Sequence, residues 1–524
     1  MMATEESGAA PEPHPWLVAV SVVCGTFMVV LDTTVVNVSL RNIAGSLSAT
    51  PEEATWALTS YLAANAIILP ITGWLAQLFG RKRLLFVSVG AFSAASLLCG
   101  LAPSLPLLIF WRIVQGATGG VMQPLSQAIM LEAFPAHERG KAMGFFGVVI
   151  VVAPILGPVL GGWLTDNYSW RWVFYINVPI GVVAILLLRA FLHDPPYLQR
   201  GYRRIDFMGI GLLALGIGAL QIALDRGQEE DWLASTQITT LLVMAVVCLT
   251  TFVLHELVVR EPVVHLRVFK DRSFAVGTFL VTLMSFGLYG SLVMLPMLMQ
   301  TLMGYSPLDA GIALAPRGLG SLVAMPVVGL LLARTDPRKM LGLGFGLAGF
   351  TTLWLSWLDL NAGYWDFFWP QLVQGVAFGL LFVPLATISV DAISRVEMGN
   401  ATSLFNLMRN IGGSFGIAAV QTILARDRQA HAAVLAAHVD PYSPQTQIAF
   451  SNLRAAFLAR GADLTTATQR AYGALYGMVQ RQAAALSFLD AFRLLALVFL
   501  LMTPLVLLLR RPRHQTEGAP IVAE

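Results

Sequence analysis

Apolar stretches of about twenty residues recur along this chain, separated by short polar turns, and each is long enough to cross a bilayer as a helix. They fall at 16–38, 54–78, 84–102, 107–130, 142–164, 171–190, 207–224, 238–256, 274–299, 309–333, 340–357, 367–390, 401–424 and 487–509. The pattern predicts an all-α polytopic membrane protein with about fourteen spans, since a helical bundle satisfies its own backbone hydrogen bonds in lipid. One connection, 425–486, is long, yet it too has helical patterning.

The spans repeat. "WRIVQGATGGVMQPLSQAIM" (111–130) and "WPQLVQGVAFGLLFVPLATISV" (369–390) share a Gln-Gly pair, a later Gly and a Pro-Leu pair. "GWLAQLFGRKRLL" (73–85) and "GLLLARTDPRKML" (329–341) match at a similar offset of about 260 residues. The chain therefore reads as two six-helix bundles, 16–192 and 273–509, with two inserted helices in 206–257. Tails at 1–15 and 510–524 flank them, and 425–486 belongs to the second bundle. Parallel halves of this kind place a substrate cavity between them near the midplane.

Composition agrees: the 524 residues are 56% hydrophobic and only 12% charged, about half the charge content of a soluble protein. Charge placement gives orientation. The connections at 81–83, 137–141, 200–204, 267–272, 336–339 and 510–513 are basic and hold all four lysines. The opposite short turns hold little beyond Arg41, Arg171 and Arg226. The positive-inside rule then puts the basic connections and both termini in the cytoplasm and 425–486 outside. The tail "MMATEESGAAPEPHP" lacks the basic n-region of a signal peptide, so the first span is expected to be retained. Cys24, Cys99 and Cys248 lie in apolar runs and read as small buried hydrophobes. No P-loop, nucleophile–base set or metal-spaced cluster is evident, so the reading is not an enzyme, without cofactor, driven by an ion gradient.

Charges inside spans are costly and mark function by default. Asp32 in "MVVLDTTVVNVSL" and Arg112 in "LIFWRIVQG" lie in the first half and invite pairing. A carboxylate in low dielectric exchanges protons closer to neutrality than one in water, which suits a coupling site. The repeat carries Gln371 where Arg112 stands, so this charge is confined to the first half. Arg317 and Arg409 lie inside spans of the second half and are candidates for the cavity, together with Asn37, Phe286, Tyr289 and Met294. Met and aromatic surfaces suit varied apolar ligands. In "GWLAQLFGRKR", Gly73 and Gly80 allow close helix approach beside Arg81 and Lys82. In "VAPILGPVLGG", Pro154, Gly157, Pro158, Gly161 and Gly162 make a kinked helix with a small-residue packing face.

These stretches, with "RRIDFMGIGLL", "LQIALDRGQEEDW" and "NLMRNIGGSFG", resemble the major facilitator superfamily, and within it the fourteen-span drug:proton antiporters of the EmrB type. The resemblance spans nearly the whole chain. It implies a proton-coupled multidrug efflux antiporter of the bacterial inner membrane, with the proton-responsive acid at Asp32 and proton transfer involving Arg112. It makes the Gly-Pro pattern of 157–162 the antiporter signature and 73–83 a gating motif. The family's usual acid in that motif is replaced by Gln77, which weakens its charge relay. It also implies a periplasmic membrane-fusion adaptor and an outer-membrane channel as partners, and no nucleic acid; by its size and its side of the membrane, 425–486 is the candidate adaptor contact. The alternative is a specific exporter of a metabolite, siderophore or fatty acid on the same fold.

Overall fold

A computed structural model describes residues 14–194, 206–440 and 442–510; the ends of both tails and the basic stretch 200–204 lie outside them. The elements are α1 (Pro15–Ser46), α2 (Pro51–Ala54), α3 (Trp56–Ile68), α4 (Thr72–Phe79), α5 (Arg81–Leu101), α6 (Leu105–Ala133), α7 (Arg139–Asn167), α8 (Trp172–Tyr175) and α9 (Asn177–Phe191) in the first half. The inserted pair is α10 (Phe207–Arg226) and α11 (Thr236–Val258). The second half holds α12 (Arg272–Leu302), α13 (Pro307–Leu331), α14 (Pro337–Leu355), α15 (Tyr364–Ile388), α16 (Met398–Ala437), α17 (Pro444–Ala459) and α18 (Leu464–Leu505). Short polar side chains start several of them: Asp206, Asp271, Ser306, Asp336 and Asp463 each accept a backbone N–H of the first turn.

Every predicted span falls on helix, with two departures in shape. The second span is broken: Glu52–Ile68 and Thr72–Phe79 meet at 62°. Pro70 sits in the break, where its ring and missing N–H interrupt the hydrogen-bond ladder. The connection 425–486 is mostly helix, because α16 and α18 run on past the bundle and α17 lies between them with no buried residue. Among the described residues, eleven helices are long and apolar enough to cross a membrane, twelve with the bent pair. The other two predicted spans, α14 and α16, are less apolar. Arg338 and Lys339 open α14, and α16 buries Asn400, Thr402, Ser403, Asn406 and Arg409 against the rest of the protein.

The halves share one packing scheme. In the first, α1 packs on α7, α3 on α6, and α5 on α6 and α9; in the second, α12 packs on α16, α13 on α15, and α14 on α15 and α18. The crossings repeat in detail. A Cβ on Gly116 or Gly120 of α6 would strike the backbone of α3, and one on Gly375 of α15 the backbone of α13. The inserted pair is peripheral: α11 exposes Val243, Val246, Val247 and Leu254 on a lipid-suited face. Its partner α10 bridges the halves. Asp225 accepts the Thr59 hydroxyl of α3, Gln221 and Ser414 of α16 exchange hydrogen bonds at 3.0 and 3.1 Å, and Trp232, just beyond α10, donates to Thr422 at 2.9 Å.

At the end bearing the basic connections, the halves close on each other through glycine. A Cβ on Gly140 of α7 would lie 2.7 Å from the Gly329 carbonyl oxygen of α13, and one on Gly144 equally close to that of Met325. Gly73 of α4 lets the backbone of Asn400 on α16 approach in the same way. Asn406 donates to Gln127 of α6 at 2.6 Å, both buried. Such backbone-on-backbone contact tolerates no side chain. Replacing Gly140 or Gly329 by Val is therefore expected to wedge this end apart. Spin labels on residues 137 and 334 would show a longer distance than in the parent protein. An unchanged distance would mean that this contact does not hold the closed end.

Candidate functional site

Asp32 sits mid-way along α1, fully buried, and three donors converge on its carboxylate. Arg112 of α6 gives Nη1 to Oδ2 at 2.5 Å. Gln115, one turn further along α6, gives Nε2 to Oδ1 at 3.0 Å, and Asn177 at the start of α9 gives Nδ2 to the same oxygen at 2.9 Å. Four helices are thus tied at one point: Arg112 also donates Nε to the Ala57 carbonyl of α3 at 2.8 Å and Nη1 to Gln115 Oε1 at 2.7 Å. Its guanidinium lies over the Tyr61 ring, 4.1 Å from the centroid. Asn177 donates on to Ser96 of α5 at 3.0 Å, which donates to the Phe174 carbonyl at 2.8 Å.

Sequence reasoning singled out Asp32 and Arg112 but not Gln115, Asn177, Ser96 or Tyr61. Gln115 follows Arg112 by three residues and so shares its helix face, which was the available signal. Asn177 lay in an unbroken apolar stretch of neutral residues, and its role emerges only from the fold.

A second polar cluster lies in the other half. Arg317 of α13 donates Nε to Gln371 Oε1 of α15 at 2.8 Å, and its Nη1 lies 3.4 Å from Ser291 Oγ of α12. Gln371 stands at the repeat position of Arg112, and Ser291 comes from α12, the counterpart of α1 in the packing scheme. The repeat thus keeps the site but moves the cation to another helix and omits the acid. Arg317 and Arg409 both line a cavity between the halves, walled by Ile150 and Val151 of α7, Met284 and Tyr289 of α12, and Phe378 and Phe382 of α15. Its free volume is about 50 Å³. That holds a little water, whereas drug-sized ligands occupy roughly 300–1,000 Å³, so loading such a ligand requires the halves to move apart.

Of the other cavity candidates, Tyr289 lines it. Met294 is buried away from it, in the packing of α12 with Phe367, Val420 and Phe492. Phe286 packs against that same cluster and abuts Gly416 through its backbone. Asn37 is exposed, further along α1 from Asp32. The motif residues divide by role. Gly80, at φ 84°, makes the left-handed turn from α4 into α5 that places Arg81 at the seam. Arg81 pairs with Glu132 of α6, so an acid does serve this motif, from another helix than Gln77's. It also reaches the Arg395 carbonyl of the second half at 3.4 Å. Lys82 instead turns to α9, donating Nζ to the Arg189 carbonyl at 3.2 Å. In α7, which is one continuous helix, Gly157 and Gly161 receive Thr34 and Val35 of α1, Pro154 is half-buried and Gly162 faces open space. The side chain of Pro158 lies outside the described residues.

Comparisons place this architecture. The profile of the Major Facilitator Superfamily matches residues 22–417. Multidrug export protein EmrB of Haemophilus influenzae is 41% identical over 82% of this chain and 84% of its own length. EmrB of Escherichia coli is 36% identical over 95% of both, and the fatty acid resistance protein FarB of Neisseria gonorrhoeae is 36% identical over 96% of this chain and 97% of its own. Among solved structures, the human organic anion transporter MFSD10 covers 93% of this chain and 100% of its own at 13% identity and a TM-score of 0.58, a likeness of fold. With the family profile spanning most of its length and relatives more than a third identical from end to end, the chain belongs to the Major Facilitator Superfamily and is a multi-pass membrane transporter, not an enzyme.

Proposed function

We propose that this protein is a proton-driven exporter of amphipathic toxic compounds in a bacterial inner membrane, working by alternating access. The observation that carries the reading is the sealed Asp32–Arg112 pair, tied to the helix that closes the halves. Protonating Asp32 removes the charge that compensates Arg112 and unmatches the Gln115 and Asn177 donors. Leaving one partner of a buried pair uncompensated costs about 3–5 kcal/mol, enough to bias a two-state equilibrium strongly.

The bias has a mechanical route. Toward one end, α7 packs Gly157 and Gly161 on Thr34 and Val35, beside Asp32. At its other end it packs Gly140 and Gly144 on α13. A shift of α1 on protonation tilts α7 and loosens the closed seam. Proton and cargo then oppose each other through the conformational equilibrium without sharing a site, each acting by its differential affinity for the two states. Arg81, anchored by Glu132, and its reach to Arg395 supply a second contact that must break at the same seam.

The positive-inside rule applied to the basic connections supports a cytoplasmic seam and cytoplasmic termini, with the closed end facing inward. The helical extension of α16, α17 and α18 then projects to the far side. It exposes Tyr442, Ile448, Tyr472 and Tyr476, which suits a periplasmic adaptor within a tripartite pump that ends in an outer-membrane channel.

Three outcomes test this reading. In proteoliposomes with an imposed proton gradient, Asp32→Asn is expected to lose uphill drug export while drug binding stays within a few-fold of the parent; export at the parental rate would remove Asp32 from coupling. Arg112→Gln alone is expected to destabilise the detergent-purified protein by about 3–5 kcal/mol. The Asp32→Asn, Arg112→Gln double variant should recover part of that loss, and strictly additive losses would show that the pair does not interact. Exchanging residues 425–486 for a short linker is expected to abolish adaptor capture in a pull-down, and unchanged capture would place the adaptor contact elsewhere.

A further inference from the structure

We infer that Arg317 and Arg409 form an anion-recognition subsite in the inter-half cavity, so that the protein's cargo is amphipathic anions, with a carboxylate or comparable acidic head on an apolar body. This deepens the proposed function and rests on its premise that the cavity lies on the export path. Both arginines are nearly fully buried, 5% and 7% exposed, and a guanidinium keeps its charge in any protein site. Neither is paired with a carboxylate among the described residues, and Nη2 of Arg317 and Nη1 of Arg409 have no hydrogen-bond partner. Among the described residues, every other guanidinium this deeply buried has its acid: Arg112 has Asp32 and Arg81 has Glu132.

The internal repeat shows what is missing. In the first half, an arginine, a glutamine and a carboxylate meet on α6 and α1. In the second, Gln371 holds the place of Arg112, Ser291 of α12 meets the cluster, and the arginine arrives from α13 with no carboxylate among the described residues. The site is built for an anion that the chain does not supply. Apart from Ser321, the remaining walls are apolar and aromatic: the Phe378 and Phe382 ring centroids lie 6.0 Å from the Arg317 and Arg409 guanidinium carbons respectively, and Tyr289, Met284 and Met325 are among the rest. A charged head against the guanidinium forks with an apolar tail along these walls satisfies both surfaces, whereas a cationic head would meet two like charges in low dielectric.

The test is binding to purified protein in phosphatidylcholine nanodiscs, with empty discs subtracted. The probes are dodecanoate and dodecyltrimethylammonium, of equal chain length and opposite charge. The parent is expected to bind the anion about tenfold or more tightly than the cation. Arg317→Gln and Arg409→Gln should each remove most of that preference without weakening the cation. Arg317→Lys and Arg409→Lys, which keep the charge, should retain it, which separates lost recognition from lost folding. Equal affinity for both probes, or a preference indifferent to the Gln variants, would overturn the inference. So would loss of dodecanoate binding in phosphatidylglycerol discs, since the occupant would then be a lipid headgroup. Asp32→Asn is run alongside. Anion-selective binding in a variant that still exports uphill removes the coupling proposal and leaves this subsite standing.

Discussion

The first half is organised around a charge that water cannot reach. Asp32 and Arg112 are both fully buried, and a low-dielectric interior tolerates such ions only when each is matched in charge and in hydrogen bonds. Matching them recruits α1, α3, α6 and α9 to one point through Ala57, Gln115 and Asn177. On the proposed reading, the cost of separating the pair is what makes the arrangement usable as a switch. A neutral polar network would hold the same helices together, but adding a proton would change nothing that the helices could sense.

The switch is useful only if its state reaches the seam between the halves, and glycine provides the connection. On α7, Gly157 and Gly161 face α1, while Gly140, Gly144 and Gly147 face α13 and its neighbours. Close backbone contact at both ends makes the helix a stiff lever, because packed surfaces this near have little room to absorb a displacement. A larger side chain at either end would add compliance and decouple the two. On the proposed reading, this gives the motif's glycines a mechanical reason beyond helix packing in lipid.

Much of this was legible in the chain because the costs are large. A charge in an apolar run is conspicuous, so Asp32, Arg112, Arg317 and Arg409 all stood out. The spans, the repeat and the inserted pair followed from periodicity and offset. Neutral polar residues such as Asn177 and Ser96 cost too little to attract notice, and their partners come from other helices. Which face of α12 meets the cavity could not be read from spacing, since both faces are apolar; Tyr289 turns to it and Met294 away. The bend at Pro70 and the helical run-on of α16 and α18 depend on neighbours that a linear reading does not contain. Gln77 suggested a weakened motif, yet Glu132 restores an acid to Arg81 from a helix about fifty residues away in sequence.

The asymmetry between the halves is the last link. The two bundles share the same crossings, α3 on α6 and α13 on α15. One copy keeps an internal acid and is closed to the cavity; its arginine is answered by the protein. The other brings Ser291 of α12, and no acid among the described residues, to its arginine, which lines the cavity. On the proposed reading, one half serves the coupling ion and the other the cargo. Each half then needs only one kind of selectivity, and the seam between them is where the two energies meet.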